Sequence, residues 1–149
     1  MIKFKINGEC VPKERPRHRT IRTVDGRVIS VEYTPQKTKE FEEKVRFEFM
    51  ASTSEQMPVY DKDVPLEAEI IIHTAIPKSY TKKKREQCLA GKVGVTKKPD
   101  LDNLAKAILD SIQNGYAMYD DAQVTKLYIE KLWTEDEPYA EVTIKGVDE

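Results

Sequence analysis

Residues 98–115 read KPDLDNLAKAILDSIQNG, the stretch with the clearest structural pattern in the chain. Its apolar residues recur at helical spacing and form one stripe: Leu101, Leu104, Ala105, Ile108, Leu109 and Ile112. Gly115, directly after Asn114, is a strong helix terminator. The pattern predicts a helix over about residues 101–112 with one face in the core. Asp102 and Lys106 then lie one turn apart on an edge of that buried face.

Strands and two further helices are predicted on either side of this helix. Alternating apolar and polar residues or short apolar runs indicate strands at residues 2–7, 28–33, 66–73, 124–133 and 139–147. The last two are expected to form a C-terminal hairpin. Apolar residues at every fourth position, Phe41, Val45 and Phe49, predict a helix from Thr34 to about Thr53. A short basic helix is expected from Thr81 to Ala90 and ends at Gly91.

The segment after the first strand is less regular. Pro12, Pro16 and several arginines are expected to interrupt regular structure, and Asp25-Gly26 is a hairpin turn signal. Strands therefore occur before, between and after helices. This order predicts one α+β domain over residues 1–149, with a mixed β-sheet packed with helices.

Length and composition fit a single globular domain. The chain has 149 residues, with 25 Lys+Arg against 26 Asp+Glu. No apolar run approaches the roughly 18–20 residues that cross a bilayer, and the N-terminus lacks a signal-peptide pattern. Cys10 and Cys88 fit neither a metal-binding spacing nor a disulfide framework. We therefore expect a cytoplasmic protein with no membrane partner.

The formal net charge of −1 conceals an uneven distribution of charge. Residues 13–27 contain six basic and two acidic residues, and residues 78–98 contain eight basic residues and one acidic residue. Residues 120–149 have the opposite balance, with three basic and nine acidic residues. A single charged run is usually a solvated surface, but two basic segments in one small domain favour a phosphate-bearing partner.

A second acidic stretch follows the helix. It reads Tyr119-Asp120-Asp121-Ala122-Gln123-Val124, and residues 116–119 are expected to return the chain toward the helix N-terminus. Asp120 or Asp121 would then meet Asp100 and Asp102, where the carboxylates would repel one another without a cation. Mg²⁺ or Mn²⁺ relieves such repulsion because hard cations prefer carboxylate oxygens.

This chemistry is not the only explanation of the acidic residues. Helix capping explains one of the two aspartates at residues 100–102, and a surface ion pair explains the spacing of Asp102 and Lys106. An EF-hand loop does not fit, since Leu104 occupies a position that needs an oxygen ligand. The residues alone leave a phosphoryl-transfer site and a structural role both open.

Both acidic stretches together resemble the RusA family of Holliday junction resolvases from bacteria and their phages. The resemblance is carried by Lys98–Lys106, Asp110 and Tyr119–Val124, and more weakly by Pro12–Arg17 and Tyr33–Thr38. It implies a RusA-like fold and a dimeric, Mg²⁺-dependent endonuclease, with Mn²⁺ as a substitute. Such an enzyme cuts a four-way DNA junction by paired nicks during recombination and repair.

The resemblance also implies roles for individual residues. Asp100, Asp102 and Asp121 match the metal-binding catalytic aspartates, and Lys106 matches the catalytic lysine. Asp120 is a further candidate ligand, and Asp110 is expected to serve helix and interface structure. We expect contacts to the DNA backbone at Arg15, Arg17, Arg19, Lys82, Lys83, Lys84, Lys97 and Lys98.

Two alternatives remain beside the junction resolvase. One is a branched-DNA-binding protein that does not cut, and the other is a less selective nuclease for flaps or forks. The two kinds of nuclease differ in the substrates they cleave, and the binding protein would cleave none.

Overall fold

The computed structural model describes all 149 residues, with a four-stranded mixed sheet at its centre. The strands are β1 (Ile2–Asn7), β2 (Arg17–Arg22), β3 (Val28–Tyr33), β4 (Leu66–Ala75), β5 (Val124–Thr134) and β6 (Tyr139–Gly146). The α-helices are α1 (Gln36–Ser52), α2 (Lys82–Leu89) and α3 (Leu101–Ile112), with a 3₁₀ turn at Asp121–Gln123. The predicted α+β class with a mixed sheet is confirmed.

The strand order of the central sheet is β1-β6-β4-β5. β6 is antiparallel to both β1 and β4, whereas β5 is parallel to β4. The expectation of a C-terminal hairpin is therefore wrong, because β4 lies between β5 and β6. The alternation in each strand shows which side chains face the core, but it does not show which strands are neighbours.

Helices α1 and α3 pack against one face of this sheet. The predicted apolar positions of α1, Phe41, Val45 and Phe49, are all buried. So are Leu104 and Ile108 of α3, within a core cluster of 21 buried residues. Full burial of each large apolar side chain contributes about 1.5–3 kcal/mol. The core thus fixes α3, and with it the acidic residues at its N-terminus.

Strands β2 and β3 form a separate two-stranded hairpin. β3 lies at the predicted residues, but β2 occupies the arginine-rich segment where an interruption was expected. Every residue of β2 is exposed, so it has no buried face to produce the alternation that reveals a strand. The turn between the strands contains Gly26 at φ +84°, as the Asp25-Gly26 signal predicts.

The basic helix α2 begins and ends within one residue of the predicted bounds. Thr81 caps it, since its hydroxyl accepts a hydrogen bond from the Lys84 backbone N–H. Only Cys88 of this helix is buried, and its three lysines are exposed. None of the three α-helices has the length and hydropathy needed to cross a membrane.

Candidate active site

The N-terminus of α3 presents two unengaged carboxylates. Asp100 is the N-cap residue by backbone geometry, yet no side-chain hydrogen bond caps the helix. Asp102 lies in the first turn, and both side chains are exposed. Capping therefore does not explain Asp100, because its carboxylate leaves the orphan N–H groups to solvent.

Two lysines fasten the chain around this helix end. The Lys131 ammonium, from β5, donates hydrogen bonds to the backbone oxygens of Lys97 (2.8 Å) and Pro99 (3.2 Å). On the other side, the Lys13 backbone N–H donates to the Asn103 carbonyl at 3.0 Å. The segment before Asp100 is thus tied to the sheet, and the segment around Lys13 lies against α3.

After α3 the chain turns back, as predicted, through a tight loop. Asn114 and Gly115 adopt positive φ values of 61° and 97°, and the Asn114 N–H donates to the Tyr119 carbonyl at 3.1 Å. Ala117 and Met118 are fully buried and anchor the loop in the core. The loop therefore delivers residues 119–121 back to the side of α3.

The Gln123 side chain then fixes residues 119–121, which we call the acidic turn. Gln123 Oε1 accepts hydrogen bonds from the N–H groups of Tyr119 (2.9 Å) and Asp120 (3.2 Å). Its Nε2 donates to the carbonyls of Asp61 (2.8 Å) and Val64 (3.1 Å). The amide thereby ties the turn to the segment that precedes β4.

Asp120 serves this turn. Its Oδ1 accepts a hydrogen bond from the Ala122 N–H at 2.8 Å, and with Gln123 it completes a capping box. The Asp120 carboxylate thus binds a backbone N–H group of its own turn, whereas the carboxylate of Asp121 points to a charged partner.

That partner is Lys106, whose ammonium lies between two carboxylates. Lys106 Nζ is 3.1 Å from Asp121 Oδ2 and 2.9 Å from Asp110 Oδ1. The hydrogen bond to Asp110, followed by the one to Asp121, raises the pKa of Lys106. The residue is therefore a fixed cation at neutral pH. Lys106 forms no ion pair with Asp102, which lies one turn before it in α3.

The ion pairs continue inward from Asp110. Lys13 Nζ lies 3.4 Å from Asp110 Oδ2 and 2.5 Å from Glu42 Oε1 of α1. Although burial lowers the pKa of Lys13, the bonds to Glu42 and Asp110 outweigh it and raise that pKa. A chain of alternating charges thus joins α1, the segment before β2, α3 and the acidic turn.

The structure brings some predicted site residues together and leaves others apart. Lys106 and Asp121 are in direct contact, while Asp100 and Asp102 lie at the helix end. No group of three or more His, Cys, Asp or Glu side chains is arranged to hold a metal ion. The donor chemistry nevertheless fits a hard cation, because unengaged carboxylate oxygens are the ligands that Mg²⁺ prefers.

The basic residues predicted to contact DNA are exposed, and two of them lie beside an aromatic ring. The ammonium groups of Lys84 and Lys97 lie 3.9 Å and 5.3 Å from the centre of the Tyr80 ring. This ring packs edge-on against Trp133. The remaining predicted contacts are all exposed: Arg15, Arg17, Arg19, Lys82, Lys83 and Lys98.

Sequence reasoning did not assign roles to Lys13, Gln113 and Gln123. The spacing of Asp120 and Gln123 is that of a capping box and was a usable signal for the last of these. Gln113 bridges the site, since its Nε2 donates to Asp110 Oδ1 (3.3 Å) and its Oε1 accepts from the Asp121 N–H (3.1 Å). No local pattern reveals that contact, because it depends on how the return loop is placed.

Two comparisons relate this chain to known proteins. A family model described as endodeoxyribonuclease RusA matches residues 7–145. The chain is also 34% identical to the uncharacterized protein YqaN of Bacillus subtilis (strain 168). That similarity extends over 148 residues, which cover 98% of this chain and 96% of YqaN.

Proposed function

Because this chain belongs to the endodeoxyribonuclease RusA family, whose members hydrolyse DNA phosphodiester bonds, we propose that it resolves four-way DNA junctions in a divalent-metal-dependent reaction. One observation carries the proposal beyond the family assignment. A lysine and a third aspartate, Lys106 and Asp121, meet beside a helix whose N-terminus carries two unengaged carboxylates. That combination of charges suits phosphodiester hydrolysis.

Asp100, Asp102 and Asp121 are the residues that would hold the metal. Bound there, Mg²⁺ or Mn²⁺ would supply a Lewis acid for the phosphate and lower the pKa of a water molecule. Lys106 contributes a permanent positive charge, which stabilises the negative charge that builds on the phosphate oxygens. Asp120 and Gln123 hold the backbone of the acidic turn, so that Asp121 keeps its place beside that lysine.

The basic residues support binding to the DNA backbone. Lysines and arginines that neutralise phosphates supply affinity and orientation but read no base sequence directly. Resolution of a junction needs matched cuts on two opposed strands, and an isologous dimer presents two equivalent sites to such a substrate. We therefore propose a homodimer that recognises branched DNA by shape and phosphate contacts.

A nicking assay on a labelled four-way junction tests the proposal. The protein is expected to cut in Mg²⁺ or Mn²⁺ and to bind without cutting in Ca²⁺, with linear duplex of matched sequence as the control substrate. Binding without nicking in every metal would instead identify a branched-DNA-binding protein. Equal cleavage of flaps and forks would identify a less selective nuclease.

Asp102→Asn tests the assignment of a metal ligand. We expect it to abolish cleavage and to leave junction binding equal or stronger, because it removes a ligand and a negative charge near phosphate. Asp136→Asn, in the exposed loop before β6, is the matched control and should cut normally. Undiminished cleavage by Asp102→Asn would remove that residue from the site.

A further inference from the structure

Two carboxylates in different surroundings share the Lys106 ammonium. Asp110 is one helical turn beyond Lys106, and 11% of its side chain is exposed. Asp121 comes from the return loop, and 26% of its side chain is exposed. Asp121, a proposed metal ligand, and Asp110, a nearly buried residue with no assigned chemistry, therefore compete for the Lys106 ammonium.

Both carboxylate oxygens of Asp110 have side-chain partners. Its Oδ1 accepts hydrogen bonds from Lys106 and Gln113, and its Oδ2 faces Lys13. An exposed i, i+4 ion pair contributes little to stability, but this carboxylate is nearly buried and serves two lysines. With both oxygens occupied, Asp110 is a poor candidate for a metal ligand and a good anchor for Lys106.

Asp121 is engaged differently. Its backbone N–H is fixed by Gln113, while the side-chain partner of its carboxylate is Lys106. A divalent cation bound to Asp121 would therefore displace or weaken only this one ion pair. Since Gln113 also contacts Asp110, the carboxylates of Asp110 and Asp121 stay at a defined separation when the cation binds.

We propose that Asp110 is a positioning residue, which keeps the Lys106 ammonium beside the site when a divalent cation takes Asp121. Lys106 in turn competes with that cation for Asp121 and lowers its affinity. This inference rests on the proposed function, because it takes Asp121 as a metal ligand. It assigns Asp110 a role in placing a reacting charge, beyond the helix and interface role expected from sequence.

Mn²⁺ binding without DNA is the first test, measured by calorimetry on the full chain. Lys106→Met, which removes the competing charge, should tighten Mn²⁺ binding about two- to fivefold, the range that corresponds to a modest ion pair. Asp110→Asn should weaken Mn²⁺ binding by a similar factor of about two to five, because Lys106 then pairs with Asp121 alone.

The double variant separates positioning from simple charge removal. If Asp110 acts through Lys106, Asp110→Asn should have little effect on Mn²⁺ binding in the Lys106→Met background. An equal effect in both backgrounds would overturn the inference, since a missing negative charge alone would explain it. Failure of Lys106→Met to tighten Mn²⁺ binding would also overturn it, and this arm does not depend on the folding of Asp110→Asn.

Steady-state nicking supplies the second test. Asp110→Asn should lower kcat about tenfold and leave KM for the junction within about twofold, as expected for a misplaced reacting group. Glu42→Gln is the matched control, because it breaks the other ion pair of Lys13 without touching Lys106. An unchanged kcat in Asp110→Asn, or an equal fall in Glu42→Gln, would contradict a positioning role.

The two tests distinguish failure of this inference from failure of the proposed function. Mn²⁺ shifts of the expected sign without nicking by any form would refute the nuclease function alone, and the Mn²⁺ result would still support the competition at Asp121. Normal nicking with no Mn²⁺ shifts would refute the inference alone. A wild-type chain that binds no Mn²⁺ would overturn the inference, because Lys106 would have no competitor.

Discussion

Substitution of Gln123 is the strongest single test of how the acidic turn is held. Its four hydrogen bonds join the N–H groups of Tyr119 and Asp120 to the carbonyls of Asp61 and Val64. Gln123→Ala removes all four. At about 0.5–1.5 kcal/mol net each, with water replacing some in this half-buried site, we expect a loss of about 2–3 kcal/mol. The melting temperature should then fall by roughly 5–10 °C for a chain of this size.

The same substitution should reduce catalysis more than binding. Asp121 follows directly after the two residues whose orientation Gln123 controls, and a displacement of about 1 Å can cost about 100-fold in rate. We expect kcat for nicking to fall by about 10- to 100-fold, with junction affinity within about twofold. Urea unfolding followed by circular dichroism and nicking under saturating protein measure the two effects.

Gln36→Ala is the matched control for this prediction. Gln36 lies in the exposed first turn of α1, where its Nε2 donates to Glu40 at 3.1 Å, so its loss should change stability by less than about 0.5 kcal/mol. Equal stabilities of Gln123→Ala and Gln36→Ala would refute the assignment of the turn to the glutamine amide. A destabilised Gln123→Ala with normal kcat would show that this turn does not place Asp121.

Three further predictions concern charge. Lys106→Ala should lower kcat much more than junction affinity in the nicking and binding assays, whereas a pure loss of affinity would make it a binding residue. Lys84→Ala combined with Lys97→Ala should reduce the slope of log affinity against log salt by about two, and an unchanged slope would remove both lysines from the phosphate contacts. Burial raises the pKa of the Cys10 thiol from 9.0 to about 12, so the unfolded chain loses this proton first as the pH rises. Stability should therefore fall by up to about 1.4 kcal/mol per pH unit above pH 9 from this group, and urea unfolding of Cys10→Ala should show a shallower slope.

The elements predicted best are those whose burial follows a local period. The helical stripe of α3 and the four-residue spacing in α1 each identify a buried face without reference to the rest of the fold. Strand β4 was found for the same reason, since Leu66, Ala68, Ile70 and Ile72 alternate toward the core. Strand order is different, because pairing joins residues that are distant in sequence. The placement of β4 between β5 and β6 therefore has no local signature.

In the candidate site too, local patterns predict some contacts and not others. Asp102, Lys106 and the return of Asp121 follow from helical spacing and a turn signal, so the Lys106–Asp121 contact was within reach of sequence reasoning. The contact of Asp110 with Lys13 was not, because Lys13 lies 97 positions earlier in the chain. Gln113 likewise contacts Asp121 only because Asn114 and Gly115 reverse the backbone.

The two halves of the site are held by different physical forces, and this makes them separable by mutation. The N-terminus of α3 is placed by apolar burial of side chains such as Leu104 and Ile108, where truncation to Ala costs about 2–5 kcal/mol. Such a change weakens the whole fold along with the site. Asp121 is placed instead by the amides of Gln113 and Gln123, at the rim of the core. Substitutions there leave the apolar core intact and act on the position of one carboxylate, so their effect on nicking can be compared directly with their effect on stability.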